Sequence, residues 1–111
     1  MATFKLVSRA KIINHLSQNK DYLFRLDISR QNGRMLGCYG FIKNLKNNRV
    51  VYINTDYSSI HNSINQKPSI LYRFAKNIGD YTGLTNRYVN NFNDLISNVN
   101  KLLTDESVKV I

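Results

Sequence analysis

Tyr22-Leu23-Phe24-Arg25-Leu26-Asp27-Ile28-Ser29 alternates with a period of two. Tyr22, Phe24, Leu26 and Ile28 fall on one side of an extended chain, and Arg25, Asp27 and Ser29 fall on the other. Side chains alternate across a strand, so this pattern predicts a strand with one apolar and one polar face. Gln31-Asn32-Gly33-Arg34 comes next, and Asn-Gly tolerates the positive φ angles that a tight hairpin demands. Met35–Leu45 resumes apolar character, and Lys46-Asn47-Asn48 supplies a second turn. Val50, Val51, Tyr52 and Ile53 make Arg49–Asp56 β-branched and aromatic, hence a third strand. Residues 22–57 therefore predict a three-stranded antiparallel meander.

The flanks add helices and further strands. Thr3–Val7 alternates and reads as a short strand. Ser8 sits where a helix cap would, ahead of Ile12, Ile13 and Leu16, which predicts a helix over about residues 9–18. A longer strand through Ile13 is the alternative. Tyr57–Pro68, rich in Ser, Asn and Gln, reads as a long loop or a loop with one helical turn. Ile70–Ala75 reads as a strand with Ile70, Tyr72 and Phe74 on one face, and Gly79-Asp80-Tyr81-Thr82-Gly83 as a loop. Phe92, Leu95, Ile96, Val99, Leu102 and Leu103 keep steps of three and four, which predicts a helix over about residues 91–104 capped by Asn90 or Asn91. Asp94 in its first turn and Lys101 in its last suit the helix dipole. Val108–Ile111 reads as a final edge strand. The expected fold is α+β: an antiparallel sheet of four to six strands with two helices packed on one face, in a single domain over residues 1–111.

Charge narrows the partner. The formal net charge is +9, and residues 1–55 hold ten basic side chains against Asp21 and Asp27. Residues 56–111 are nearly balanced, with six basic and five acidic. Such asymmetry predicts an electropositive face, for which nucleic acid is the commonest partner. No apolar run approaches the roughly 18 residues of a membrane span. The stretch before Ser8 is too short for the apolar region of a signal peptide, and Cys38 is the single cysteine, so the expected location is intracellular, in the cytoplasm. Asn occurs 16 times and Ala three times. That bias towards AT-rich codons suggests a phage or plasmid of a low-GC bacterium.

Catalysis and metal binding find little support. His15 and His61 lie 46 residues apart, and no His, Cys or Asp pair has ligand-like spacing. Cys38, in a predicted strand beside Gly37 and Tyr39, reads as a small buried hydrophobe. The seven acidic residues are scattered, and no glycine-rich phosphate loop occurs. A tyrosine nucleophile has seven candidates but no cluster of His and acidic metal ligands near them. The expectation is a protein that is not an enzyme, with no cofactor and no metal.

The most suggestive stretch is Gly37-Cys38-Tyr39-Gly40-Phe41-Ile42-Lys43. Tyr39, Gly40, Phe41 and Ile42 resemble four consecutive positions of the RNP1 strand of RRM domains, where aromatics stack on bases. Gly37, Cys38 and Asn44 depart from that pattern. Tyr-Gly-Phe-Ile, followed by Val50-Val51-Tyr52-Ile53, is also similar to cold-shock domains, although the predicted helices do not suit a pure barrel. On a strand Tyr39 and Phe41 share one face, and Lys43 continues it. If exposed, the two rings could stack on unpaired bases while Arg25, Arg30, Arg34, Lys46 and Arg49 hold phosphates. If they face the core, only the electrostatic part remains. Tyr72-Arg73-Phe74 is a second candidate, a half-buried strand with Arg73 on its outer face.

These residues predict a small non-catalytic protein that binds nucleic acid, single-stranded DNA or RNA being favoured, or a nucleoprotein complex. The alternative is a protein–protein inhibitor or adaptor, anti-CRISPR-like, that blocks a host nucleic-acid enzyme. No membrane partner is expected, and the oligomeric state stays open.

Overall fold

Two Asn-containing turns set the architecture. A computed structural model describes residues 7–56 and 70–111. Asn32 (φ 53°) and Gly33 (φ 76°) adopt positive φ and join β1 (Tyr22–Gln31) to β2 (Arg34–Asn44). Asn48, at φ 63°, closes the turn from β2 into β3 (Arg49–Asn54). The predicted meander is therefore present. β4 (Ile70–Ala75) and β5 (Arg87–Val89) extend it into a five-stranded sheet in the order β1-β2-β3-β4-β5, every pairing antiparallel.

The register separates two faces. Phe24↔Ile42↔Val51↔Phe74 runs across one of them. This face carries Leu26, Cys38, Ile53 and Tyr72, and the main core forms between it and the two helices. α1 (Arg9–Leu16) contributes Ile12 and Leu16. Ser8 Oγ accepts from the Lys11 N–H at 3.1 Å, satisfying one of the free donors of the first turn. α2 (Phe92–Thr104) contributes Leu95, Val99, Leu102 and Leu103. Asn91 Oδ1 accepts from the Asp94 N–H at 2.8 Å, and Asn91 Nδ2 donates to the Asp94 carboxylate at 3.0 Å.

The C-terminus of α2 is stitched to the β2–β3 turn. Asn44 and Asn47 both donate to the Leu103 carbonyl at 2.8 Å, and Arg49 donates to the Leu102 carbonyl at 3.1 Å. Carbonyls of a last helical turn lack partners within the helix, and here side chains of the sheet supply them. The α+β class and the packing of both helices on one face agree with the sequence.

Gly37 and Gly40 mark the tightest approaches. Gly40 sits at φ 141°, and a Cβ there would lie 2.1 Å from the Arg25 carbonyl oxygen. At Gly37, φ 143°, a Cβ would lie 2.6 Å from the Thr55 carbonyl oxygen. Next to Gly37 the β1–β2 register slips between Ser29 and Arg30. Only glycine fits such positions without moving backbone.

Two expectations change. Val108–Ile111 is not a strand; the chain turns at Asp105, whose carbonyl accepts from the Val108 N–H at 3.0 Å. The edge beside β4 belongs to β5 instead, a three-residue strand whose length is too short to leave a periodic signal. The expected strand Thr3–Val7, apart from Val7, and the expected loop Tyr57–Pro68 lie outside the described residues.

Candidate nucleic-acid interface

On the opposite face, cross-strand pairing makes a transverse row, Arg25↔Phe41↔Tyr52↔Arg73. Directly opposed residues of an antiparallel pair stand about 5 Å apart at Cβ, so the row places two aromatic rings between two cations. Lys43 and Tyr39 flank Phe41 along β2 on the same face, as the period of two requires. No helix packs on this face among the described residues. A small apolar cluster of Phe41, Val50, Tyr52 and Ala75, with Leu71 beside it, lies at its centre.

The β4–β5 loop, residues 76–86, reaches back onto this face. The Tyr81 ring lies 5.2 Å from Phe41 and 5.5 Å from Tyr52 between centroids, and Phe41 lies 5.3 Å from Tyr52. These are edge-to-face and tilted contacts, the arrangement that ring quadrupoles favour. Arg73 fastens the loop, donating to the Tyr81 carbonyl at 2.7 Å and to Asn86 Oδ1 at 3.0 Å. Its guanidinium lies 4.7 Å from the Tyr52 ring centroid. Arg73 Nε is buried without a hydrogen-bond partner among the described residues, and the face of an aromatic ring offsets part of that desolvation.

The eight residues singled out in the sequence separate into four places. Arg25 (exposed), Tyr39 and Lys43 (half-buried) and Phe41 share the face opposite α1 and α2. Phe41 is only 3% exposed, beneath the Tyr81 and Tyr52 rings. Arg30 and Arg34 are exposed at the β1–β2 hairpin end, and Lys46 is exposed in the β2–β3 turn at the other end. Arg49 faces the helix side, where its guanidinium bonds the Leu102 and Glu106 carbonyls and lies 5.5 Å from the Phe74 ring. Its cation is thereby committed to holding α2.

Tyr81 and Tyr52 were not singled out. Tyr52 follows from strand alternation once the register is known. Tyr81 stands in a segment whose sequence predicts only a loop, and its one signal is an aromatic between Gly79 and Gly83. Arg73 was legible as the outer residue of its strand, but its hold on the loop was not. The face is not uniformly basic: Asp27 pairs with Tyr39 across the strands, and Ser29 Oγ donates to the Asp56 carboxylate.

Burial pushes the Tyr52 phenol above its ordinary range, partly offset by the Asn54 amide and the Arg73 charge. It also pushes the Cys38 thiol up, partly offset by Thr55 and by the Arg9 charge. Both groups are therefore neutral near pH 7. Cys38 is fully buried beside Thr55, whose hydroxyl accepts the Cys38 N–H at 2.9 Å and donates to the Val7 carbonyl at 3.1 Å. His15 meets Phe92 edge-on at 4.8 Å, and its Nδ1 lies 3.0 Å from the Lys11 carbonyl. Among the described residues no three His, Cys, Asp or Glu side chains gather as a metal site would need. No described helix is long and apolar enough to cross a membrane.

In comparisons with protein-family models, curated proteins and solved structures, nothing matches the chain.

Proposed function

We propose that this protein binds nucleic acid without cutting it, through the face of its sheet opposite α1 and α2. The observation that carries this reading is the row Arg25-Phe41-Tyr52-Arg73 with Lys43 and Tyr39 beside it. Exposed Arg25 and half-buried Lys43 offer cations to phosphates, and Arg30, Arg34 and Lys46 extend the positive charge towards both ends of the sheet. Phosphate contacts of this kind set affinity and carry no sequence information, so weak sequence preference is expected. The net charge of +9 adds long-range attraction.

Titration of labelled single- and double-stranded oligonucleotides at low and moderate salt tests the reading. Binding at low salt is expected, with a log–log slope of about −0.7 per phosphate neutralised on single strands. Absence of binding to either at low salt would sink it. Should a stable protein partner then be recovered from a bacterial lysate and survive nuclease treatment, the inhibitor or adaptor reading replaces it.

A further inference from the structure

We infer that Tyr81 is the residue on which a base stacks, so that the preferred ligand is an unpaired strand. This rests on the nucleic-acid reading above and assigns its contact residue. Tyr81 is 54% exposed although it belongs to a three-ring cluster. The planes of Tyr81 and Phe41 cross at 67°, and those of Tyr81 and Tyr52 at 76°. A ring that stands steeply to both neighbours and keeps half its area in water offers a flat surface to a ligand.

The ring is also held in place. Arg73 donates to the Tyr81 carbonyl at 2.7 Å. Asp80 Oδ1 accepts from the Thr82 N–H at 2.9 Å and from the Thr82 hydroxyl at 2.7 Å, bracing the residues on either side. Gly79 and Gly83, at φ 91° and 90°, supply the two backbone reversals of the loop. A ligand that lands on Tyr81 finds the side chain already ordered, which lowers the entropic cost of binding.

Charge complementarity selects the occupant. Tyr81 lies on Phe41, and Phe41 has Arg25 across the strand pair and Lys43 two residues along β2. The exposed ring and the two cations thus share one face of the sheet around Phe41, an aromatic platform beside a basic track. A duplex does not fit this pattern, because its bases already stack on one another. Phe41, buried beneath Tyr81, serves as the floor of the platform, and Arg73 is a positioning residue that acts through the Tyr81 backbone.

The test compares the wild-type protein with Tyr81→Ala, Tyr81→Phe and Arg25→Ala by fluorescence anisotropy. The probes are oligothymidylate and oligouridylate of about 16 nucleotides and a duplex of the same length. Circular dichroism confirms that each variant is folded. Wild type is expected to prefer the single strands over the duplex. Tyr81→Ala should weaken single-strand binding about 5- to 150-fold, and Tyr81→Phe should retain it. The salt slope should stay unchanged in Tyr81→Ala and shrink by about 0.7 in Arg25→Ala. If wild type binds and folded Tyr81→Ala binds equally well, the assignment of Tyr81 is overturned while the nucleic-acid reading stands. If wild type binds no probe at low salt, the nucleic-acid reading itself fails. The ratio of oligothymidylate to oligouridylate affinity separates DNA from RNA as the source of the strand.

Discussion

Arg73 donates to the Tyr81 carbonyl oxygen at 2.7 Å, eight residues along the chain and across a loop. One half-buried cation thereby fixes a loop, covers the Tyr52 ring and holds an exposed tyrosine above the sheet. Arginine can do this because its planar guanidinium donates in several directions at once, to Tyr81 and to Asn86 here.

Arg73→Lys should release that loop. A lysine keeps the charge but cannot reach two acceptors with fork geometry. Hydrogen exchange of amides in residues 76–86 should accelerate, while those of β2 and β3 stay protected. Stability should fall by about 1–3 kcal/mol, the cost of losing hydrogen bonds from a charged donor. Unchanged exchange in the loop would contradict the role given to Arg73.

Gly40→Ala should be among the most damaging single substitutions. Its methyl would enter a site 2.1 Å from the Arg25 carbonyl, at a φ that side chains rarely adopt. Urea denaturation should show a loss of about 3 kcal/mol or more, or no folded protein. Gly33→Ala, where no described residue would lie within 4 Å of the new methyl, should cost only the strain of its positive φ, about 1 kcal/mol. Equal losses at the two positions would contradict the close strand approach.

Arg49→Ala and Arg25→Ala should separate stability from binding. Arg49 bonds carbonyls at the end of α2, so its loss should lower stability by about 1–3 kcal/mol and affect nucleic-acid affinity less. Arg25 is exposed and, among the described residues, donates only to its neighbour's carbonyl, Phe24 O, at 3.1 Å. Its loss should leave stability within about 0.5 kcal/mol and weaken binding. Thermal melts and anisotropy titrations of both variants check the contrast.

Alkaline pH should destabilise the fold through Cys38. Burial raises the native thiol above its ordinary value of 9.0. The native state therefore holds this proton at pH values where the unfolded chain releases it. The resulting contribution is fully present below the unfolded value and is lost as pH rises through the raised native value. The tyrosines Tyr22, Tyr52 and Tyr72 shift the same way from 10.0 and add to the loss at higher pH. Denaturation midpoints between about pH 8 and 10 should fall with pH in the wild type, and Cys38→Ala should flatten the first part of that fall.

How much of this was legible depended on range. The Tyr22–Ile28 alternation, the Asn32-Gly33 turn and the Ser8 and Asn91 caps are local, and each formed as the residues required. So did the sharing of one face by Tyr39, Phe41 and Lys43, which strand alternation fixes. Burial of Phe41 was not legible, because it depends on Tyr81, 40 positions further on in the sequence. Arg49 looked like a free cation, since nothing in its neighbourhood announced that the end of α2 would dock there. β5 was missed because three residues carry no period, and its partner β4 was needed to define it. The role of Gly40, to let the β1 backbone approach, exists only in the paired sheet and leaves no mark on the sequence around it.

The most direct test of the central claim is a map of where a single strand touches the protein. Amide chemical shifts recorded by nuclear magnetic resonance during titration with oligothymidylate supply it. Binding on the face opposite α1 and α2 predicts the largest changes at Arg25, Tyr39, Lys43 and residues 76–86, with the two helices little affected. Changes concentrated on the two helices, or none at low salt, would contradict it.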